Sequence, residues 1–187
     1  MCLKGRGDKV IVSAEVNQKT KFTRMCISEA ILALLETTEF ARLKVSDIVR
    51  KAGVARASFY KYYDSPYSAL KDYLGIIIGE YMQENNLRQN RSNYLERDHI
   101  LYSLLFFDRY ANFFLTLARH KLHGIMLDGI NGFMTENIQT QKHLSVYELY
   151  SYAGSLLNSF LKWEEDGKTD SAEEVADTIY HLYSARN

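Results

Sequence analysis

The stretch VSDIVRKAGVARASFYKYY, Val45 to Tyr63, decides the fold, because two short amphipathic segments meet in it at a glycine. Val45, Ile48, Val49 and Ala52 recur at i, i+3, i+4 and i+7, which lays an apolar stripe along one face of a first helix. Gly53 sits just past the last periodic residue. There a left-handed conformation closes a helix with no Cβ penalty, and Val54 can fill the corner beneath it. In the second helix Phe59 and Tyr63 share an inward face four residues apart, leaving Arg56, Ser58, Tyr60, Lys61 and Tyr62 to point away. The pattern is a helix-turn-helix. A helix that hides two aromatics and shows hydroxyls and cations suits the major groove of a duplex.

Upstream, Ile27, Ala30, Ile31, Leu34 and Leu35 mark an amphipathic helix over about Lys19 to Glu36 that supports the motif from behind, with Lys19, Lys21 and Arg24 placed near phosphates. Residues 1–18 show no sustained period, carry Lys4, Arg6 and Lys9, and read as a flexible basic arm. Downstream, Ser65 and Pro66 start a long helix that runs to about Asn85, and the polar stretch ENNLRQNRSN follows as a loop. Ile100 to Asp108 and Ala111 to Ala118 are apolar on most sides, as central helices are. Another helix carries Ile125, Met126, Ile130, Phe133, Met134 and Ile138 together with Gly124, Gly129 and Gly132, so either backbones pack closely there or the helix is pliant. The last two helices hold Val146 to Leu161, with a stop at Gly167, and a capped stripe from Ser171 to Tyr183. No β alternation of useful length occurs. The fold class is all-α, a three-helix helix-turn-helix unit at 19–65 and a helical bundle at 66–187, about nine helices in total.

Composition agrees with such a chain. With 187 residues, 47% apolar and 25% charged, it can bury a good-sized core, and a single proline favours long uninterrupted helices. The net charge of zero conceals a division: residues 1–63 hold twelve Lys and Arg against six Asp and Glu, about +6, and the remainder about −6. A cationic amino-terminal unit joined to an anionic body fits a DNA reader carrying a separate sensing or pairing module. No apolar run approaches a membrane span and no signal peptide opens the chain, which therefore reads as cytoplasmic. Cys2 and Cys26 read as free thiols. No phosphate loop, nucleophile elbow or paired carboxylates mark an enzyme, and no cofactor is indicated. His120 and His123 in HKLH lack a third ligand, so no metal site is assigned.

The segment AGVARASFYKYYDSPYSALKDY resembles the corner, recognition helix and following helix of the tetracycline-repressor (TetR) family, and the similarity extends over about Lys19 to Leu74. The closing stretch, with its tryptophan-acidic-glycine segment, is similar to the last helices of one subgroup of that family. The resemblance implies a homodimeric, ligand-responsive transcriptional regulator, usually a repressor, on a palindromic double-stranded DNA operator. It implies that Arg56, Ala57, Ser58, Tyr60 and Lys61 face the groove and that Tyr60 and Tyr62 contact phosphates or sugars. Lys44 stands where the family commonly has a capping threonine, and Pro66 where it has a lysine, so Lys44 and Tyr67 are added as backbone contacts. Phe107, Tyr110, Phe114, Met126, Phe133 and Trp163 are the expected wall of a small-molecule effector site. Ser151, Gly154, Ser155, Asn158, Ile179 and Tyr183 are the expected dimer surface. The alternative reading is a helical protein-interaction module or small-molecule-binding bundle without DNA binding.

Overall fold

The computed structural model describes residues 18–88, 94–137 and 145–184, and among them the chain forms nine α-helices and no strand. They are α1 (Gln18–Leu35), α2 (Val45–Ala52), α3 (Arg56–Tyr62), α4 (Pro66–Leu87), α5 (Arg97–Asp108), α6 (Ala111–Arg119), α7 (His123–Asn137), α8 (Val146–Glu165) and α9 (Ala172–Ser184). A 3-10 turn, Phe40–Arg42, joins α1 to α2. The arm over residues 1–17, Cys2, Ile138 and the side chain of Lys19 lie outside the described residues. No described helix is long and apolar enough to cross a membrane.

The corner forms for the reasons its sequence suggests. Ile48 is fully buried, and Gly53 takes φ 67° and ψ 29°, so the Val54 amide can turn back to the Val49 carbonyl at 3.1 Å. Phe59 is fully buried beneath α3. Tyr63 is buried too, but it lies one residue past the helix in extended conformation, which swings its ring toward α4 rather than along α3. Lys44 gives α2 no side-chain cap. Ser65 caps α4, accepting from the Ser68 amide at 3.2 Å with Pro66 at the first helical position. The same device starts α8 at Ser145 and Glu148, and Ser171 accepts from the Glu174 amide ahead of α9.

Two boundaries differ from the sequence reading. α4 continues to Leu87, because Asn85 lies one turn beyond Tyr81 on the inward face and both are buried. α5 starts at Arg97, three residues before the apolar run, so that His99 enters the interior within its first turn.

α1 packs on α2 and α4, α4 on α7, α7 along α8, and α5 along α9. One buried cluster runs from Ile27 of α1 through Leu70 and Leu74 of α4 to Leu157 and Phe160 of α8. Gly129 is where the backbone of α7 meets α4: a Cβ there would stand 2.4 Å from Leu74 Cδ2. Gly129→Ala gains helix propensity of about 1 kcal/mol and pushes the flexible end of Leu74 aside. The expected outcome is a melting temperature within a few degrees of wild type. Calorimetric melting of the variant checks it.

Candidate nucleic-acid interface and effector cavity

Arg56, Ala57, Tyr60 and Lys61 are exposed on α3, with Tyr60 52% exposed. The Arg56 guanidinium lies 5.6 Å from the centre of the Tyr60 ring and donates to its hydroxyl at 3.4 Å. Tyr60 in turn stands edge-on to buried Phe59, their centroids 5.5 Å apart. The outward residues thus rest on the inward anchor, and the arginine is held near the helix start, where a recognition helix meets base edges. Ser58 is half-buried. Lys44 is exposed at the start of α2, on the amino-terminal side of the corner.

Tyr62 is less free than the sequence suggests, while Tyr67 is exposed. Tyr62 is half-buried against the start of α1, where the Thr20 hydroxyl and then the Lys61 ammonium hold its phenol below the ordinary range. The Tyr67 hydroxyl lies beside Gly124 at the start of α7, 3.6 Å from where a Cβ would be.

The cations of α1 are turned to a different use. Lys21 pairs with Glu80 of α4 at 2.7 Å. Arg24 clasps Asp72 of α4 with two donors, Nε at 2.8 Å and Nη2 to the second oxygen. These side chains face α4 rather than an open phosphate surface, because α4 presents carboxylates two turns apart on the side that meets α1. Tyr63 donates to the same Asp72 carboxylate at 2.7 Å. Burial pushes the Tyr63 phenol up, and the bond to Asp72 adds to it. Asp72 therefore ties together α1, the end of the recognition helix and α4.

A second set of ties leads to the bundle. Tyr110 donates to Glu80, and Arg109 pairs with Glu84 at 3.0 Å. His120 Nε2 lies 2.9 Å from the Leu35 carbonyl at the end of α1, which fixes that nitrogen as the protonated donor. His120 thus fastens the α6–α7 turn to α1, while His123 is exposed at the start of α7, and no group of three potential ligands gathers among the described residues.

Within the bundle lies a cavity of about 40 Å³ bordered by α4, α5, α6, α7 and α8, with Leu74, Ile78, Leu157 and Phe160 among its apolar walls. Phe107, Phe114 and Phe133 line it. Tyr110, Met126 and Trp163 do not. Tyr110 turns to Glu80, and Met126 is fully buried in the packed core. Trp163 donates from Nε1 to the Asp170 carbonyl at 2.8 Å, closing the connection between α8 and α9. Five residues that carry polar groups also line it and were missed by the aromatic count: Tyr81, Tyr94, His99, Ser103 and Tyr152, although the surface they show the cavity is almost wholly apolar. The available signal was His99 and Ser103 themselves, four residues apart on one face of an otherwise apolar helix.

Burial pushes His99 down to about 4, with the Arg88 charge acting in the same sense. Its folded value lies below the ordinary 6.5, so the unfolded chain binds the extra proton between the two. Stability is expected to fall as pH drops from about 6.5 toward 4, checked by chemical denaturation across that range and by flattening of the slope in His99→Phe.

On the face of α8 turned away from the cavity, Ser151 and Asn158 are exposed and Gly154 and Ser155 half-buried. A Cβ on Gly154 would meet nothing within 4 Å. Tyr183 is half-buried, edge-on to Tyr152 with centroids 5.2 Å apart. Ile179 is fully buried within the chain, because α9 turns that position inward toward α5 and α8. The outward apolar residues here are Tyr147, 82% exposed, with Tyr150 and Leu182.

A helical body fused to a helix-turn-helix whose outward residues are exposed and braced has the layout of a DNA-binding transcriptional regulator. Residues 27–65 match the family model for bacterial regulatory proteins of the tetR family, and this amino-terminal unit is a TetR-family DNA-binding domain. The fold as a whole is similar to that of Lin0861 from Listeria innocua, with 13% identity, 92% of this chain and 95% of that one covered, and a TM-score of 0.76. It is also similar to the transcriptional regulator FadR from Bacillus subtilis in complex with stearoyl-CoA, at 17% identity, 84% and 96% coverage and a TM-score of 0.54. FadR from Thermus thermophilus, a TetR-family transcriptional repressor in complex with lauroyl-CoA, matches at 17% identity, 85% and 92% coverage and a TM-score of 0.53.

Proposed function

We propose that the chain is a homodimeric, effector-released repressor that binds a palindromic operator through α3. The observation that carries this reading is the double duty of α4. Asp72 holds the recognition helix and α1, and Leu74, Ile78 and Tyr81, on the next turns of the same helix, line the cavity. An effector that shifts α4 shifts the base of the reader with it. At about 40 Å³ the cavity has room for a few waters at most, so an effector enters only as α4 and α7 separate. Two recognition helices on one operator must stand roughly 34–36 Å apart, and an effector that favours a wider spacing draws the population away from DNA to the extent of its differential affinity. The acyl-CoA complexes of the two FadR proteins support an effector with an apolar body.

The dimer surface is the stripe Ser151, Gly154, Ser155 and Asn158 of α8, flanked by Tyr147, Tyr150 and Leu182. Small residues there let two backbones approach, and the aromatics supply the apolar area. Gly154→Arg points into open space within one chain, so it leaves the fold intact and converts dimer to monomer, read by sedimentation. Wild-type mass in that variant with full operator affinity sinks the placement.

The decisive experiment is recovery of genomic fragments bound by the purified protein. A palindrome should emerge, and its affinity should fall steeply with salt, the logarithm of the binding constant dropping by roughly 0.9 per neutralised phosphate. Absence of an enriched site, or binding indifferent to salt, refutes the DNA reading.

A further inference from the structure

The wall of the cavity carries an acceptor with nothing to accept from. His99 is 1% exposed and lines the cavity, and its Nδ1 has no hydrogen-bond partner among the described residues. Its Nε2 meets the Tyr81 hydroxyl, which lies 2.9 Å from Ser103 Oγ; Ser103 Oγ in turn lies 2.8 Å from the His99 carbonyl. The hydrogens of this ring can be counted. A carbonyl only accepts, so the Ser103 hydrogen goes to it; the Tyr81 hydrogen then goes to Ser103, and Tyr81 oxygen accepts from His99 Nε2–H. Nδ1 is left as a bare lone pair in an apolar wall, a condition that costs free energy and calls for a partner.

A donor of the complementary kind is held beside it. The Arg88 guanidinium lies 4.1 Å from the centre of the Tyr102 ring, and that ring is 6.1 Å from His99. Arg88 Nη1 is buried without a hydrogen-bond partner among the described residues. The cavity lining thus holds an unfilled acceptor, and Arg88, outside that lining, holds an unfilled cationic donor against the Tyr102 ring. A carboxyl group presents the matching pair: an O–H for the first and a carbonyl oxygen for the second. An ester or thioester lacks the donor, and an alcohol lacks the second oxygen.

We propose that the effector is an amphipathic carboxylic acid, its apolar body in the phenylalanine-lined chamber and its carboxyl group between His99 Nδ1 and Arg88. The inference rests on the reading of the cavity as the effector site. The acid is an anion in neutral solution, so the anion and one proton enter together: the proton ends between a carboxyl oxygen and Nδ1, and no covalent bond changes. The titratable and charged groups around His99 are Tyr81 of α4, Arg88 just past the end of α4, Tyr94 before α5, Tyr102 on α5 and Tyr152 of α8. At the outer contact of α5 with α9, Arg97 and Asp177 pair with each other, and Glu84 pairs with Arg109. Arg88 is the charge that acts on the His99 imidazole, and it also opposes any second cation there.

The test is calorimetric titration of the full chain with decanoic acid, methyl decanoate and decanol between pH 5.5 and 7.5. Decanoic acid should bind with an affinity that weakens about tenfold per pH unit, with uptake of one proton, read from buffers of different ionisation heat. At pH 5.5 the ester and the alcohol should bind at least about tenfold more weakly. His99→Phe should abolish proton uptake, and Arg88→Gln should weaken the acid while leaving the alcohol unchanged. The pH slope and proton count are read on the wild-type protein, so an unstable variant does not remove the test. Binding of the acid without proton uptake overturns the inference, as does an ester that matches the acid. If the acid fails while the ester binds and releases operator DNA, the cavity remains an effector site and the carboxyl assignment is wrong. If all three neither bind nor affect operator affinity, the carboxyl assignment falls, and the effector reading of the cavity falls with it.

Discussion

Replacing Arg56 by alanine is expected to weaken operator binding by between roughly 30-fold and about 10⁴-fold. A bidentate arginine contact to guanine is worth about 1–3 kcal/mol of discrimination, and a two-fold symmetric complex loses it twice, about 2–6 kcal/mol in all. Competitive binding to operators varied one base pair at a time separates this from a general electrostatic loss: affinity should become insensitive to the base at a single position in each half-site. Arg56→Lys should recover little, since an ammonium cannot reproduce the planar fork. The fold should be untouched, because Arg56 is exposed and its partner Tyr60 is surface as well. Lys61→Ala, by contrast, should reduce affinity for all sequences alike and lower the salt dependence. An Arg56→Ala protein within threefold of wild type on its operator would show that α3 reads DNA through other groups.

The second large effect is expected at Asp72, which touches no DNA. Its carboxylate accepts two bonds from Arg24 and one from the Tyr63 hydroxyl, all partly buried. Asp72→Ala leaves a guanidinium and a phenol unpaired at the junction of three helices. Bonds to charged groups are worth about 1.5–3 kcal/mol each and are not additive, so a loss of about 2–4 kcal/mol is expected, or roughly 5–15 °C in melting temperature. Tyr63→Phe removes a single bond and should cost about 1 kcal/mol. The functional mark is a fall in operator affinity with the base preferences of α3 retained, since the reader is intact and only its mounting is loosened. A melting temperature within about 2 °C of wild type would mean that Asp72 is a surface ion pair of little worth.

The corner itself was legible in the sequence because everything that forms it is local. Apolar spacing, a glycine at the helix end and a buried aromatic are separated by a few residues, and the structure places Ile48, Gly53 and Phe59 as that spacing requires. The ties to α4 were not legible. Arg24 and Lys21 find partners 48 and 59 residues away, and such pairing leaves no periodic trace. From the sequence alone, a basic helix start reads the same whether it faces phosphate or aspartate.

In the cavity the difficulty is rotational. α5 and α6 are apolar nearly all round, so spacing cannot say which of Phe107, Tyr110 and Phe114 faces the space between helices and which packs elsewhere. α9 shows the same limit: Ile179 and Leu182 belong to one apolar stripe, yet the first is fully buried and the second is 63% exposed. The polar residues within apolar helices were the better guide, since burying His99 and Ser103 demands a reason that burying another phenylalanine does not.

The narrowness of the cavity has a kinetic consequence. With about 40 Å³ available, an effector acting at this cavity in the proposed way enters only as α4 and α7 part. The observed association rate should therefore rise with effector concentration only until it meets the opening rate, and then level off at a value set by the protein alone. Chemically different effectors, however unequal in affinity, should share that plateau and differ in how long they stay.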